Sequence, residues 1–199
     1  MNAVAHAGVI STKRQPDSLS KIKLSARKLF VDRGYHATRP QDITRDAGLG
    51  HGTFYLHYRD KRDCFLAFAD DARIEFYKFV HLRAGTGEPL AVVIGRALVA
   101  VYEFTDMNPG LLNAAMADDA LMDAEGRKHR SLAQCWGNDW AEVIRGTTEA
   151  TVITCDPEIA GQAIAGAIRQ CSIEGDRLGF AREVMIENLT RLLVRAITP

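Results

Sequence analysis

The amino-acid sequence predicts an all-α protein of about nine helices. Apolar residues recur at helical spacing along almost the whole chain, whereas the alternation expected of a half-buried strand is rare and short. Two very short helical segments, at about 40–47 and 51–58, lie between longer ones and are joined by a Gly-Leu-Gly turn. These observations predict a small three-helix domain near the amino terminus, followed by a larger helical domain.

Each helix is predicted from an apolar stripe and from residues that favour helix ends. The first covers 17–33, with Asp17 or Ser18 as its cap and Gly34 as its stop. The helices after the two short segments cover 60–83, 89–105, a short stretch from Asn108 to Met116, 118–150, 157–178 and 180–197. This order divides the chain into a flexible tail, a small three-helix domain and a larger helical domain, over 1–16, 17–59 and 60–199.

Length and composition are those of an ordinary soluble protein. The chain has 199 residues, of which 47% are hydrophobic and 25% are charged. No apolar run approaches the roughly 20 residues that a membrane-spanning helix needs. The first ten residues contain no Lys or Arg, so they are interpreted as part of the tail and not as a signal peptide. A cytoplasmic location is therefore expected.

The four cysteines lack the spacing of a metal site or a disulfide framework. Cys64, Cys135, Cys155 and Cys171 are scattered, and no Cys-x-x-Cys pair occurs. Reduced and mostly buried thiols are the favoured interpretation, with a redox-sensing role as the alternative. No metal site and no cofactor are predicted.

Charge is distributed unevenly along the chain. Residues 1–63 contain 12 Lys or Arg and 6 Asp, whereas residues 64–199 contain 13 Lys or Arg and 19 Asp or Glu. A basic segment beside an acidic one favours contact between the basic part and a polyanion, although a charged face is more often simply solvated.

The two short segments have the pattern of a helix-turn-helix. Ile43 and Ala47 are four residues apart in the first segment, and Phe54 and Tyr58 are four apart in the second. Each pair therefore shares one helical face, and the glycines of the turn can take positive φ. Because Phe54 and Tyr58 face inward, the other side chains from His51 onward are left for the outside. In such motifs the start of the second helix enters the major groove.

The exposed side chains of this region suit contact with DNA. The candidate DNA-binding residues are Arg39, Gln41, Gly50, His51, Gly52, Thr53, Tyr55, His57 and Lys61. His51, Thr53 and Arg39 are expected to read base edges, with Gln41 as a weaker candidate. Tyr55, His57 and Lys61 are expected to contact phosphates. Gly52 permits close approach of the backbone.

The stretch SKIKLSARKLFVDRGYHATRPQDITRDAGLGHGTFYLHYRDKRDC resembles the DNA-binding domain of the TetR family of bacterial repressors. The residues that carry the resemblance are Ile22, Ala26, Leu29, Phe30, Gly34, Tyr35, Thr38, Asp42, Ile43, Ala47, Gly48, Leu49, Gly52, Thr53, Phe54, Tyr55, His57, Tyr58 and Lys61. They match in register and without gaps over close to a quarter of the chain. Arg39 and Gly50 depart from the family pattern, because the family usually caps each helix of the motif with Ser or Thr.

The resemblance implies a ligand-responsive repressor that binds a palindromic operator as a homodimer. In such a protein, 17–59 is the helix-turn-helix DNA-binding domain and 60–199 is the effector-binding and dimerisation domain. The expected partners are double-stranded DNA, a small lipophilic or aromatic effector and a second copy of the chain. The candidate effector-pocket residues are Phe76, Phe104, Met116, Met122, Trp136, Trp140 and Cys171. The candidate dimer-interface residues are Ala160, Ala163, Ala167, Met185, Leu189 and Leu192. Packing inside one chain is the alternative interpretation for both sets.

Two other classes of function remain as alternatives. Asp118, Asp119 and Asp123 form an acidic cluster that could hold magnesium in a helical enzyme. That interpretation also needs a second metal motif, which the sequence lacks, and acidic helix starts are commonplace. The other alternative is a helical adaptor that binds protein instead of DNA. An enzyme is not predicted.

Overall fold

The computed structural model describes residues 14–85, 87–116, 132–148 and 153–198, and within these ranges the chain forms nine helices and no strand. The helices are α1 (Arg14–Ala37), α2 (Pro40–Asp46), the 3-10 helix η1 (His51–Leu56), α3 (Lys61–Ala84), α4 (Leu90–Met107), α5 (Leu111–Met116), α6 (Leu132–Arg145), α7 (Pro157–Leu178) and α8 (Arg182–Ile197). The predicted all-α fold is confirmed. The chain divides into two compact units, Met1–Phe65 and Leu66–Pro199, and this division lies six residues after the predicted domain boundary.

The amino-terminal unit is built on a small aromatic and aliphatic core. Ile22 and Phe30 of α1, Ile43 of α2 and Phe54 of η1 are all completely buried. The ring of Phe30 also meets the ring of Phe65 edge-on, with 5.2 Å between the ring centroids. Burial of such side chains contributes about 1.5–3 kcal/mol each, so this core stabilises the packing of α1, α2 and η1.

The first helix is longer than the sequence predicts at both ends. It begins at Arg14, so Asp17 lies inside its first turn and the prediction of Asp17 or Ser18 as the cap is wrong. Gly34 interrupts the helix with φ 76° and ψ 172°, at the residue predicted as the stop. Thr38 then closes the segment, because its buried hydroxyl donates to the Gly34 carbonyl oxygen at 2.8 Å.

The second short segment is a 3-10 helix that ends at Leu56, whereas a segment over 51–58 was predicted. Gly48 enters the turn before it with φ 66°, and the Leu49 N–H donates to the Thr44 carbonyl oxygen at 2.8 Å. Gly50 precedes the 3-10 helix and provides no side-chain cap.

Two later helices each begin after an aspartate cap. Asp60 caps α3, because its carboxylate accepts the Asp63 N–H at 2.8 Å. Asp156 caps α7 in the same way, since its carboxylate accepts the Glu158 N–H at 3.0 Å. Pro157 then occupies the first position of α7, where its missing N–H costs nothing.

The carboxyl-terminal unit has α4 at its centre. The apolar stripe of α4 is buried and consists of Leu90, Val93, Ile94, Ala97, Leu98 and Val101. Beside it, α6 and α7 approach closely at Gly137 and Gly161. A Cβ atom added at Gly161 would collide with the Gly137 carbonyl oxygen and would lie 2.7 Å from the Ala141 backbone nitrogen. The small residues of α7 therefore serve packing inside the chain at this point.

Part of the predicted helix over 118–150 is α6, and the cluster of Asp118, Asp119 and Asp123 lies outside the described residues. Among the residues that the structure does describe, no group of His, Cys, Asp or Glu side chains is arranged to hold a metal ion. None of the described helices is both long enough and apolar enough to cross a membrane.

Candidate DNA interface and effector cavity

The helix η1 presents a polar face to solvent and an aromatic face to the core. His51 and Gly52 are exposed, and Tyr55 is 52% exposed. Phe54 and Tyr58 are buried, as predicted, with their ring centroids 5.7 Å apart. Thr53 is half-buried. The structure therefore brings the start of η1 and the Tyr55 ring onto one accessible surface.

Arg39 and Gln41 flank the start of α2 and are both exposed. Arg39 occupies the cap position, but arginine has no acceptor with which to cap a helix. The Asp42 carboxylate instead accepts the Arg39 backbone N–H at 3.2 Å. This hydrogen bond fixes the backbone of Arg39. The guanidinium of Arg39 stays at the surface, where it can contact an anion.

His57 and Lys61 also connect the motif to α1, a role that the sequence analysis missed. The His57 Nε2 atom lies 2.8 Å from the Ser18 Oγ atom. The Lys61 ammonium donates to the Tyr35 carbonyl oxygen at 3.0 Å and lies 4.1 Å from the centroid of the Tyr35 ring. An ammonium group has three donors, so Lys61 can hold Tyr35 and still reach a phosphate.

An ion pair joins α1 to α2. The Lys28 Nζ atom lies 2.6 Å from the Asp46 Oδ1 atom. Hydrogen bonds from Lys28 and then from Ser25 lower the pKa of the Asp46 carboxyl below its ordinary value. No helical spacing predicts this pair, because its members are 18 residues apart in sequence.

The carboxyl-terminal unit contains a cavity of about 230 Å³. Side chains from α3 to α7 line it, and they are Phe76, Val101, Tyr102, Thr105, Leu112, Asn113, Met116, Trp136, Arg169 and Ser172. The lining is mainly apolar with a few polar groups, which is the composition of small-molecule binding sites.

The helix-turn-helix geometry agrees with the comparison against protein families. Residues 24–68 match the family model described as bacterial regulatory proteins, tetR family. This segment of the chain is similar to the DNA-binding domain of the tetR family. The resemblance seen in the sequence is thereby confirmed over residues 24–68, which include every residue that carries it except Ile22. No relative among curated protein sequences matches the chain significantly.

Solved structures support the fold over nearly the whole chain. A tetR-family transcription regulator from Shewanella sp. PV-4 has a TM-score of 0.67 at 19% identity, covering 92% of this chain and 98% of its own. A gamma-butyrolactone receptor (ArpA-like protein) has a TM-score of 0.66 at 16% identity, with coverages of 94% and 90%. A SmeT–triclosan complex has a TM-score of 0.63 at 16% identity, with coverages of 92% and 92%. At these identities the similarity is one of TetR fold.

The predicted pocket residues differ in their position relative to the main cavity. Phe76, Met116 and Trp136 line it. Phe104 is buried behind it, with its ring centroid 5.2 Å from that of Phe76. The remaining candidates are Trp140, which is buried beside a smaller pocket, Cys171, which is half-buried but does not line the cavity, and Met122, which lies outside the described residues.

The sequence analysis missed Arg169 and Ser172 of the cavity wall. A signal for Arg169 was present, because a charged residue follows directly after the buried Ile168 in a helix whose inward positions are otherwise apolar or small. Arg169 and Ser172 are three residues apart, so they lie on one face of α7.

A second cleft of about 100 Å³ lies in the same unit and is lined by Tyr77, His81 and Asp139 among others. The rings of Tyr77 and His81 are stacked with 5.2 Å between their centroids. Burial raises the pKa of Asp139, while Arg73 and His81 oppose this effect. Burial, with a smaller contribution from Asp139, also raises the pKa of Tyr77. These groups belong to a polar wall distinct from the main cavity.

The predicted dimer-interface residues differ in accessibility. Ala160 and Leu189 are buried within the chain, and Ala167 and Met185 are half-buried. Ala163 is exposed, and Leu192 of α8 is 63% exposed.

The cysteines are free, with Cys64 buried and the other three half-buried. Burial raises the pKa of the Cys64 thiol to about 12. Because the thiolate is the reactive form, Cys64 is chemically inert at neutral pH.

Proposed function

We propose that this protein is a transcriptional repressor that binds a palindromic DNA operator as a homodimer and releases it when a small organic effector binds. The observation that supports this most is the combination, in one chain, of a TetR-family DNA-binding domain and a mainly apolar cavity. A protein with this role works where the genome is, which is the cytoplasm of a bacterium.

The exposed surface of η1 and the start of α2 bind the operator in this proposal. His51, Thr53 and Arg39 read base edges, with Gln41 in a minor role. Tyr55 donates its hydroxyl to a phosphate, and Gly50 and Gly52 allow the backbone to approach the groove. The half-buried His57 and Lys61 contact phosphates at the edge of the same surface.

A dimer supplies the specificity that one η1 lacks. A single recognition helix covers only a few base pairs, whereas a two-fold pair of helices about 34–36 Å apart reads two half-sites in successive major grooves. The exposed faces of α7 and α8 are proposed as the dimer contact. Val184 and Leu192 of α8 are 47% and 63% exposed, and large apolar side chains in this position favour burial against a second copy.

A small organic molecule is the proposed effector. Two structural relatives are, by name, a triclosan complex and a gamma-butyrolactone receptor. In this chain the rings of Phe76 and Trp136 lie with their centroids 5.1 Å apart in the cavity wall, so they offer an aromatic surface to a lipophilic ligand.

The switch is proposed to act through α3. This helix begins at Lys61, beside the DNA-binding motif, and carries Phe76, which lines the cavity. A ligand changes DNA affinity only if it binds one arrangement of the protein better than another. A typical coupling of about 1–3 kcal/mol would weaken operator binding roughly 5- to 150-fold.

The test is fluorescence anisotropy with labelled DNA from the region upstream of the gene. We expect binding to be saturable, sensitive to salt and competed by unlabelled copies of the same DNA far better than by random DNA. Tyr55→Ala should weaken binding to all DNA sequences, whereas Tyr77→Ala, a change outside the motif, should leave binding unchanged. If random DNA competes as well as the upstream region does, the chain is not a sequence-specific repressor of its own region.

A further inference from the structure

Two polar groups in the wall of the main cavity have no partner among the described residues. The Arg169 Nε and Ser172 Oγ atoms are inaccessible to solvent and make no hydrogen bond within that part of the chain. Both residues line the cavity and lie one helical turn apart on α7. Buried polar groups are almost always satisfied in folded proteins, so two unsatisfied groups on residues of one cavity wall require an explanation.

Arg169 also brings a charge that no described residue of the cavity wall balances. Among the described residues that line the cavity, Arg169 is the only charged one. A second cation nearby, Arg182, lies over the Tyr102 ring but is paired with Asp106, with N–O distances of 2.5 and 2.9 Å. A guanidinium whose Nε–H group is buried without a partner is unfavourable, and an anionic ligand would remove that penalty.

We infer that the effector is a small organic monoanion whose carboxylate binds Arg169 and Ser172. This inference rests on the proposed function, since it names the chemistry of the molecule that fills the regulatory cavity. The planar guanidinium matches a carboxylate through two parallel N–H···O bonds, and the serine hydroxyl adds a further donor. One guanidinium neutralises one negative charge, so a dianion such as a phosphate ester would leave a charge unbalanced among mainly apolar walls.

The other residues of the cavity wall determine the size and polarity of the part of the ligand that follows its carboxylate. Phe76, Met116 and Trp136 provide an apolar wall, and Asn113 adds a neutral polar group. An apolar cavity of about 150 Å³ holds benzene, so the 230 Å³ available here accommodates one substituted aromatic ring or a medium-length alkyl chain.

The test compares acids with the amides of the same shape. The probes are 3-phenylpropionate with 3-phenylpropionamide and octanoate with octanamide, titrated against the full chain. Trp136 fluorescence reports binding in a Trp140→Phe background, which removes the only other tryptophan. At neutral pH we expect at least one acid to bind about 10- to 150-fold more tightly than its amide, as charge-assisted hydrogen bonds provide.

Variants identify the groups responsible for that preference. Arg169→Met should abolish it, and Ser172→Ala should reduce it. Arg195→Met is the matched control, because Arg195 is an exposed arginine of α8 that does not line the cavity. Without ligand, Arg169→Met should melt at the same temperature as the unmodified protein or higher, because it removes an unpaired charge. Loss of the preference then cannot be attributed to unfolding.

The inference is overturned if every acid binds no better than its amide, including the case in which none of the probes binds. It is equally overturned if Arg169→Met keeps the preference for acids. The same preparations are assayed for binding to the upstream DNA. If the unmodified protein does not bind the upstream DNA specifically, the proposed function is contradicted. If it does bind that DNA, but acid and amide bind the protein equally well, only the carboxylate inference is contradicted.

Discussion

The contact between α6 and α7 at Gly161 predicts a large and specific loss of stability when a methyl group is added there. In Gly161→Ala the new Cβ atom would lie 2.7 Å from the Ala141 backbone nitrogen and closer still to the Gly137 carbonyl oxygen. Ordinary contacts of a Cβ atom begin at 3.4 Å, so the two helices must separate by about 0.7 Å or more. Both obstacles are backbone atoms, so no change of rotamer relieves the collision.

The expected cost follows from the packing around this contact. Overpacking a close-packed interior costs about 1–3 kcal/mol, and the gain in helix propensity from Gly to Ala offsets at most about 1 kcal/mol. Separation of α6 and α7 also loosens the buried neighbours Trp140 and Ile164, which places the net loss near 2 kcal/mol. For a protein of this size that corresponds to a fall in Tm of about 4–8 °C.

Thermal unfolding followed by tryptophan fluorescence measures this effect directly, because both tryptophans lie in α6. The matched control is Gly95→Ala in α4, where the added Cβ would meet only the Thr190 hydroxyl oxygen, at 3.8 Å. That variant should gain about 0.5–1 kcal/mol. The packing argument is refuted if Gly161→Ala is as stable as Gly95→Ala.

Three further predictions concern the DNA-binding unit and the dimer. Lys61→Ala should lower the salt slope of DNA binding by about one unit per subunit and also lower the stability of the amino-terminal unit, whereas a loss confined to one operator sequence would contradict the phosphate role. The ion pair of Lys28 and Asp46 should stabilise the fold above pH 3.8, the ordinary carboxyl value, and stop doing so as acid protonates Asp46 below its lowered pKa. Acid titration of Lys28→Met, followed by circular dichroism, should therefore show a smaller loss of stability over that range, and an unchanged profile would show that the pair contributes nothing. Leu192→Glu should convert the dimer to a monomer in light scattering, whereas Leu82→Glu, at an 82% exposed position of α3, should not. A monomeric unmodified protein that binds its operator tightly would rule the dimer out.

The amino-terminal unit could be predicted closely because its determinants are local. The turn requires glycine at Gly48, and the inward faces follow from residues four apart, such as Phe54 and Tyr58. The 3-10 geometry of η1 and the early start of α1 were not predicted. Both depend on how the backbone groups at a helix end find hydrogen-bond partners. The residues near a helix end are often compatible with more than one end point.

The cavity was predicted only in part because its wall depends on contacts between distant segments. Aromatic stripes on α3 and α6 brought Phe76 and Trp136 into the prediction, since bulky apolar residues at helical spacing must face inward. Arg169 was missed because an arginine inside an apolar stripe is unusual, and its place depends on how α7 packs against four other helices. The same reason explains Ala160 and Leu189, which were predicted at the dimer interface and are buried within the chain.

The most direct test of the central claim is a binding-site selection from random DNA with the purified protein. The proposal predicts an enriched palindrome whose half-sites are about one helical turn apart, or a multiple of it, and whose base preferences change in His51→Ala and Arg39→Ala. Each of these variants should lose roughly 1–3 kcal/mol of binding on the selected site. If no DNA sequence is enriched, sequence-specific binding through η1 and the start of α2 is contradicted. The same holds if the unmodified protein and both variants enrich the same sequence.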